Sequence, residues 1–168
     1  GCGDGTLWKE NLSKLPAHVH ITLSDISEGM LRDARRAVGA KDSRFSFEAF
    51  DCHRLPLLPL FMAFCLYRPL VPKAPNGGQV LGAAGVLFYC EDIPQVCSEV
   101  RRVLKPDGRF LCSAYSSRHM AEVSRLVHEF DERIMLSADK LYEKFGLENG
   151  AGILKEYFAE TDWRLYED

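Results

Sequence analysis

The sequence predicts a single α/β domain with a mostly parallel sheet flanked by helices, and three observations predict it. Strand-like apolar runs alternate with amphipathic runs of helical period along most of the chain, and parallel strands need such crossovers. The chain opens on Gly1-Cys2-Gly3-Asp4-Gly5, a loop that lets backbone approach a ligand because no Cβ intervenes at its glycines. An acidic residue, Asp25, ends the first strand-like run, about 20 residues after the loop, the interval at which a ribose-binding carboxylate is expected.

The elements follow in order. Thr6 to Leu15 fits a short helix with Leu7, Trp8, Leu12 and Leu15 on one side, ended by Pro16. His18 to Ser24 alternates and is β-branched, so it reads as a strand. Ser27 is a fitting N-cap for a helix over Gly29 to Val38, and Gly39 is a fitting stop. Phe45 to Phe50 alternates cleanly and reads as a strand ending at Asp51. Leu57 to Gly85 carries four prolines, an Asn76-Gly77-Gly78 turn and no clear period, which argues against a simple element there. Regular pattern resumes at Val86-Leu87-Phe88-Tyr89, taken as a fourth-strand region. Asp92 and Pro94 suit the start of a helix whose face holds Ile93, Val96, Val100, Val103 and Leu104. A Lys105-Pro106-Asp107-Gly108 turn leads to a strand over Arg109 to Tyr115. Helices are expected over His119 to Phe130, Ser137 to Phe145 with Ser137 as cap, and Gly152 to Phe158. Trp163 to Tyr166 reads as the start of a further strand.

Composition narrows the function classes. The 168 residues suggest one domain, with a net charge of −3. That balance gives no sign of nucleic-acid binding, which usually shows a strongly basic surface. The basic groups Arg32, Arg35, Arg36 and Arg101, Arg102, Lys105 fall in helical patterns and read as solvated faces. Leu57 to Leu66 is too short for a membrane span and contains Pro59. The six cysteines form no C-x-x-C pair, the five histidines show no ligand spacing, and no metal is expected. Free buried thiols and no signal peptide point to the cytoplasm.

The loop also discriminates among nucleotide ligands. Dinucleotide sites use G-x-G-x-x-G to accommodate a pyrophosphate; here the spacing is G-x-G-x-G, with Thr6 where that pattern has its last glycine. Asp4 within the loop would repel a phosphate but not a sulfonium or ammonium group. Read singly, Asp25 also suits a helix N-terminal charge and Asp51 a turn residue. Together with the glycines, Asp25 points to a ribose.

The chain resembles class I S-adenosylmethionine-dependent methyltransferases, especially the group labelled methyltransferase type 11. The matching runs are Gly1 to Thr6, Leu23-Ser24-Asp25-Ile26-Ser27 with Met30-Leu31, Phe50-Asp51-Cys52 with Leu55-Pro56, and Val100 to Phe110, where Asp107 stands at the first glycine of the family's "LKPGG" turn. The resemblance implies a Rossmann-like sheet with S-adenosylmethionine as cofactor. It implies that Gly1, Cys2, Gly3 and Gly5 pass beneath the methionine part and that Asp25 holds the ribose. Ile26 would pack on the adenine, and Asp51 would bond its amino group with the Cys52 backbone nearby. The implied reaction is methyl transfer to an unidentified small-molecule acceptor. No catalytic base is required and none is named; Tyr89 is a candidate for the acceptor pocket. The alternative is a catalytically inactive nucleotide-binding or interaction module of the same fold. Against the family pattern, the first strand ahead of Gly1 and the C-terminal strand are expected to be missing. Residues 57–85 are expected to be aberrant or inserted within one incomplete domain spanning 1–168. The acceptor and the oligomeric state are not legible.

Overall fold

A computed structural model describes residues 1–17, 19–39, 42–56, 80–134 and 136–165. Most of the segment expected to be aberrant, 57–79, lies outside the described residues. The described strands are β1 (Ile21–Asp25), β2 (Phe45–Ala49), β3 (Val80–Ala84) and β4 (Arg109–Ser113). The helices are α1 (Thr6–Asn11), α2 (Glu28–Val38), α3 (Ile93–Val103), α4 (Ala121–Phe130), α5 (Ser137–Lys144) and α6 (Gly150–Lys155). The α/β class and the parallel pairing agree with the sequence. The strands form two parallel pairs, β1 with β2 and β3 with β4, rather than one continuous ladder.

Each half has its own core. In the first, Ile21 and Leu23 of β1 pack with Leu31 and Ala34 of α2, together with Trp8. The β-branched and apolar residues of β1 are buried because α2 turns its apolar stripe onto them. The Ser27 hydroxyl accepts from the Met30 N–H at 3.3 Å, the N-cap that the sequence marks. Arg44 secures the edge: it pairs with Asp42 at 2.7 Å and donates to the Leu12 and Leu15 carbonyls. In the second half, Leu81, Leu87, Phe88, Val96, Val100 and Phe145 form the core. Asp92 caps α3 by accepting from the Gln95 N–H at 2.9 Å.

Four expectations need correction. The strand read at Val86–Tyr89 lies earlier, at Val80–Ala84, inside the stretch expected to lack regular structure. Gly85 takes φ 64°, which turns the chain out of the strand, and Leu87–Tyr89 form a 3₁₀ turn. Short apolar runs do not distinguish a strand from a buried turn by pattern. The N-terminal helix is shorter than expected, ending at Asn11 before a 3₁₀ turn over Leu12–Lys14. Ser137 is the first residue of α5, not its cap, a place taken by Leu136. Residues 163–165 form no strand.

Candidate functional site

The carboxyl ends of β1 and β3 and the Gly1–Gly3 backbone enclose a cavity of about 580 Å³. Open α/β sheets place ligands at such strand ends. Its mouth is polar, with Gly1, Gly3, Asp25, Ser27, Asp51 and His53. Its depth, between Leu81, Val96, Val100 and Phe110, is apolar. A nucleoside with a polar tail would engage the mouth, where the hydrogen-bonding groups stand.

Asp25 organises that mouth. One carboxylate oxygen accepts from the Gly3 N–H at 3.2 Å and the other from the Ser27 N–H at 2.9 Å. Strand β1 fixes the residue, the glycine loop comes to it, and α2 starts from it. Each carboxylate oxygen keeps a second lone pair, so the group has capacity left for two hydroxyls. A Cβ on Gly3 would meet nothing within 4 Å, so its backbone faces open space. The residues present therefore fit a ribose-bearing cofactor: an acceptor pair at the strand end beside bare backbone.

The sequence-expected residues divide. Gly1, Cys2, Gly3, Asp25, Ile26, Asp51 and Cys52 all line the cavity. Gly5 does not; it lies against Ala34 of α2. Its φ of 81° and its closeness to α2 make it a packing residue, unlike the role implied by resemblance. Asp4 also turns away from the cavity. Its carboxylate accepts from the Thr6 N–H and hydroxyl, both at 3.0 Å, and the backbone bond above all holds it below the usual carboxylate range. Ile26 stands 73% exposed at the rim, an apolar face open to a planar ligand. Tyr89 lines the same cavity and is exposed.

Three partnerships around Asp51 escape sequence reasoning. His53 sits at the cavity wall, not on an unengaged surface. Its Nδ1 lies 2.7 Å from the Asp51 carboxylate, which also accepts the His53 N–H at 2.9 Å. The D-x-H spacing is the local signal that could have found it. The other ring nitrogen, Nε2, accepts from the Asp92 N–H at 3.3 Å. Asp51, Cys52 and His53 bring ligand atoms within 4.8 Å of one another, and both imidazole nitrogens are engaged in hydrogen bonds. The third partnership is a latch on α3. The Leu55 N–H donates to Glu99 at 3.0 Å, and Arg102 donates to the Leu55 carbonyl at 2.7 Å while pairing with Glu99. Arg102 therefore holds the cavity-wall segment rather than standing on a merely solvated face.

The Asp51 carboxylate raises the pKa of His53, because the short contact at 2.7 Å outweighs the opposing effect of burial. The sign of the linkage follows. A raised folded-state pKa gives stability that is present below about 6.5, the ordinary histidine value. That stability is lost as pH rises through the folded pKa. Titration of the imidazole ring by NMR is expected to place the His53 midpoint above the ordinary value. Asp51→Asn is expected to bring it down, and an unmoved midpoint would refute the pairing.

Comparison with known proteins agrees with this geometry. Residues 1–110 match the family model described as a methyltransferase domain. The chain is 30% identical over 110 residues to the biotin biosynthesis bifunctional protein BioHC of Saccharophagus degradans, covering 66% of this chain and 17% of that protein. It is 32% identical over 111 residues to a demethylmenaquinone methyltransferase of Symbiobacterium thermophilum, covering 66% and 39%. It is 27% identical over 137 residues to a malonyl-[acyl-carrier protein] O-methyltransferase of Gallionella capsiferriformans, covering 80% and 43%. The chain thus spans less than half the length of each of these relatives. A matching model over well more than half of the chain, together with an acidic strand end bonded to a glycine loop, shows that the chain belongs to the class I S-adenosylmethionine-dependent methyltransferase family.

Proposed function

We propose that this domain binds S-adenosylmethionine and transfers its methyl group to a small-molecule acceptor. The observation that carries the reading is the Asp25 carboxylate, bonded to the Gly3 backbone and facing the cavity. Asp25 accepts the two ribose hydroxyls, the Gly1–Gly3 backbone lies beneath the amino-acid part, and Ile26 covers the adenine. Asp51 and the Cys52 backbone stand at the adenine edge. The cofactor supplies an activated methyl on a sulfonium. The protein's part is positioning, since transfer is an in-line displacement that gains from held geometry. Tyr89, exposed at the cavity edge, belongs to the acceptor side.

The substrates that the relatives' names print, demethylmenaquinone and malonyl-[acyl-carrier protein], support an acceptor other than nucleic acid. Among the described residues no helix is long and apolar enough to cross a membrane. The described cysteines Cys52, Cys90, Cys97 and Cys112 are free thiols, which supports a cytoplasmic setting.

Calorimetric titration of the folded chain with S-adenosylhomocysteine tests the reading. Saturable binding is expected, weakened about tenfold to a hundredfold in Asp25→Ala through loss of charge-assisted hydrogen bonds. A folded chain that binds nothing, or an Asp25→Ala chain that binds as well, would overturn it. With binding established, methyl transfer to a panel including a naphthoquinol and a malonyl thioester identifies the acceptor class.

A further inference from the structure

The two halves of the fold meet at a pair of cysteines. Cys52 follows β2 in the first half, and Cys90 follows β3 and its 3₁₀ turn in the second. Their sulfurs lie 3.5 Å apart, though the residues are 38 positions apart in sequence. Both line the cavity, so a small solute entering it can reach them. Only a small approach separates this contact from a bond, whose S–S length is about 2.05 Å. We propose that Cys52 and Cys90 form a redox modification site, an attacking and a resolving thiol that close reversibly into a disulfide when a low-molecular-weight disulfide enters the cavity.

The surroundings divide the labour between the two sulfurs. The hydrogen bond with Cys90 lowers the pKa of Cys52, helped by the charge of His53 and opposed by burial and by Asp51. The same contact raises Cys90, with burial adding to it, while the Lys144 ammonium, bonded to the Cys90 carbonyl, acts the other way. Cys52 is therefore the thiolate and Cys90 the protonated partner beside it. The other described thiols in this half are unsuited. Burial pushes Cys97 up to about 11 and Cys112 up to about 12.

The reaction balances in two exchanges. The Cys52 thiolate, its proton already released, attacks one sulfur of the small disulfide and expels one thiolate, leaving a mixed disulfide on Cys52. Cys90 then loses its proton, attacks the Cys52 sulfur and expels the second thiolate. The S–S bond between Cys52 and Cys90 forms, two protein thiols are oxidised, and the small disulfide is reduced to two thiols that take up the two protons. The new bond covalently ties the β2 side of the cavity to the β3 side.

The test uses the full chain, folded, in buffers of graded oxidised and reduced glutathione, read by intact mass and by peptide mapping without reduction. Wild type is expected to lose two hydrogens, with the cross-link mapped to Cys52 and Cys90, and to recover its mass in dithiothreitol. Cys90→Ser is expected to stop at a glutathione adduct on Cys52, and Cys52→Ser to form neither product. The same oxidation in urea is expected to scatter among cysteines, showing that the fold selects the pair. A cross-link mapped elsewhere, an adduct without closure in wild type, or no reaction by the folded chain would overturn the proposal. Because none of these readouts needs S-adenosylhomocysteine, the site can fail or stand independently of the cofactor reading.

Discussion

Gly5→Ala is expected to lower the unfolding free energy by about 3–5 kcal/mol, summing a left-handed backbone penalty and overpacking. Gly5 sits at φ 81°, and a Cβ built on it would stand 2.6 Å from the Ala34 Cα and 3.0 Å from its Cβ. The obstacle is backbone in the middle of α2, so no side-chain rotation relieves it. Ala34 is itself fully buried, and α2 is held by Ser27 at its start and by β1 beneath it. The helix start would have to move, taking α1 and the Gly1–Gly3 backbone with it. Urea unfolding monitored by circular dichroism checks this, and the variant is also expected to lose S-adenosylhomocysteine binding. A midpoint within error of wild type would mean that the loop does not pack on α2 as described. Gly3→Ala is the companion: its Cβ meets nothing within 4 Å, so it carries the backbone penalty without the collision. Its expected loss of stability is smaller, about 1–2 kcal/mol.

Phe145→Ala is expected to cost about 3–5 kcal/mol, the usual loss for a large buried aromatic. The ring is 1% exposed and belongs to the same cluster as Leu87, Phe88 and Val100. Gly150, at the start of α6, lies directly over the ring, where a Cβ would come within 3.1 Å. Truncation would therefore open a cavity between the strand half and the C-terminal helices, and close backbone packing limits how far it can collapse. Tyr142 meets Phe88 edge-on at 5.5 Å, so the same region shapes the Tyr89 side of the candidate site. Thermal unfolding with S-adenosylhomocysteine titration checks this: a lower melting temperature is expected with the Asp25 end intact. Phe145→Leu is expected to be milder. Equal stability of wild type and Phe145→Ala would show that the C-terminal helices do not share this core.

The cofactor side of the molecule was readable because its signals are local. Ser27 and Asp92 cap helices through bonds to residues three positions on, and α2 and α3 carry apolar stripes at helical spacing. The glycine loop and Asp25 follow one another at a fixed interval around one helix, so their meeting at 3.2 Å is written into chain order. Seven of the eight expected cofactor residues line one cavity for that reason, with Gly5 the exception. Strand β3 was not readable. Val80-Leu81-Gly82-Ala83-Ala84 has no alternation and a single β-branched residue, Val80. It is a strand because it pairs in register with Arg109 to Ser113, well over 20 residues away.

Sequence by itself determined the α/β class, the starts of α2 and α3 at Ser27 and Asp92, and the carboxylate and glycines that meet at the cavity, because periodicity, capping and turn chemistry act over a few residues. Only the tertiary structure decided that Gly5 serves packing, that His53 bonds Asp51 and that Arg102 latches Leu55. It also decided that Cys90 meets Cys52 and that Phe145 anchors the C-terminal helices. Apart from the Asp51–His53 pair, each of these joins residues distant in sequence, and such contacts are fixed by how sheet and helices pack rather than by local propensity.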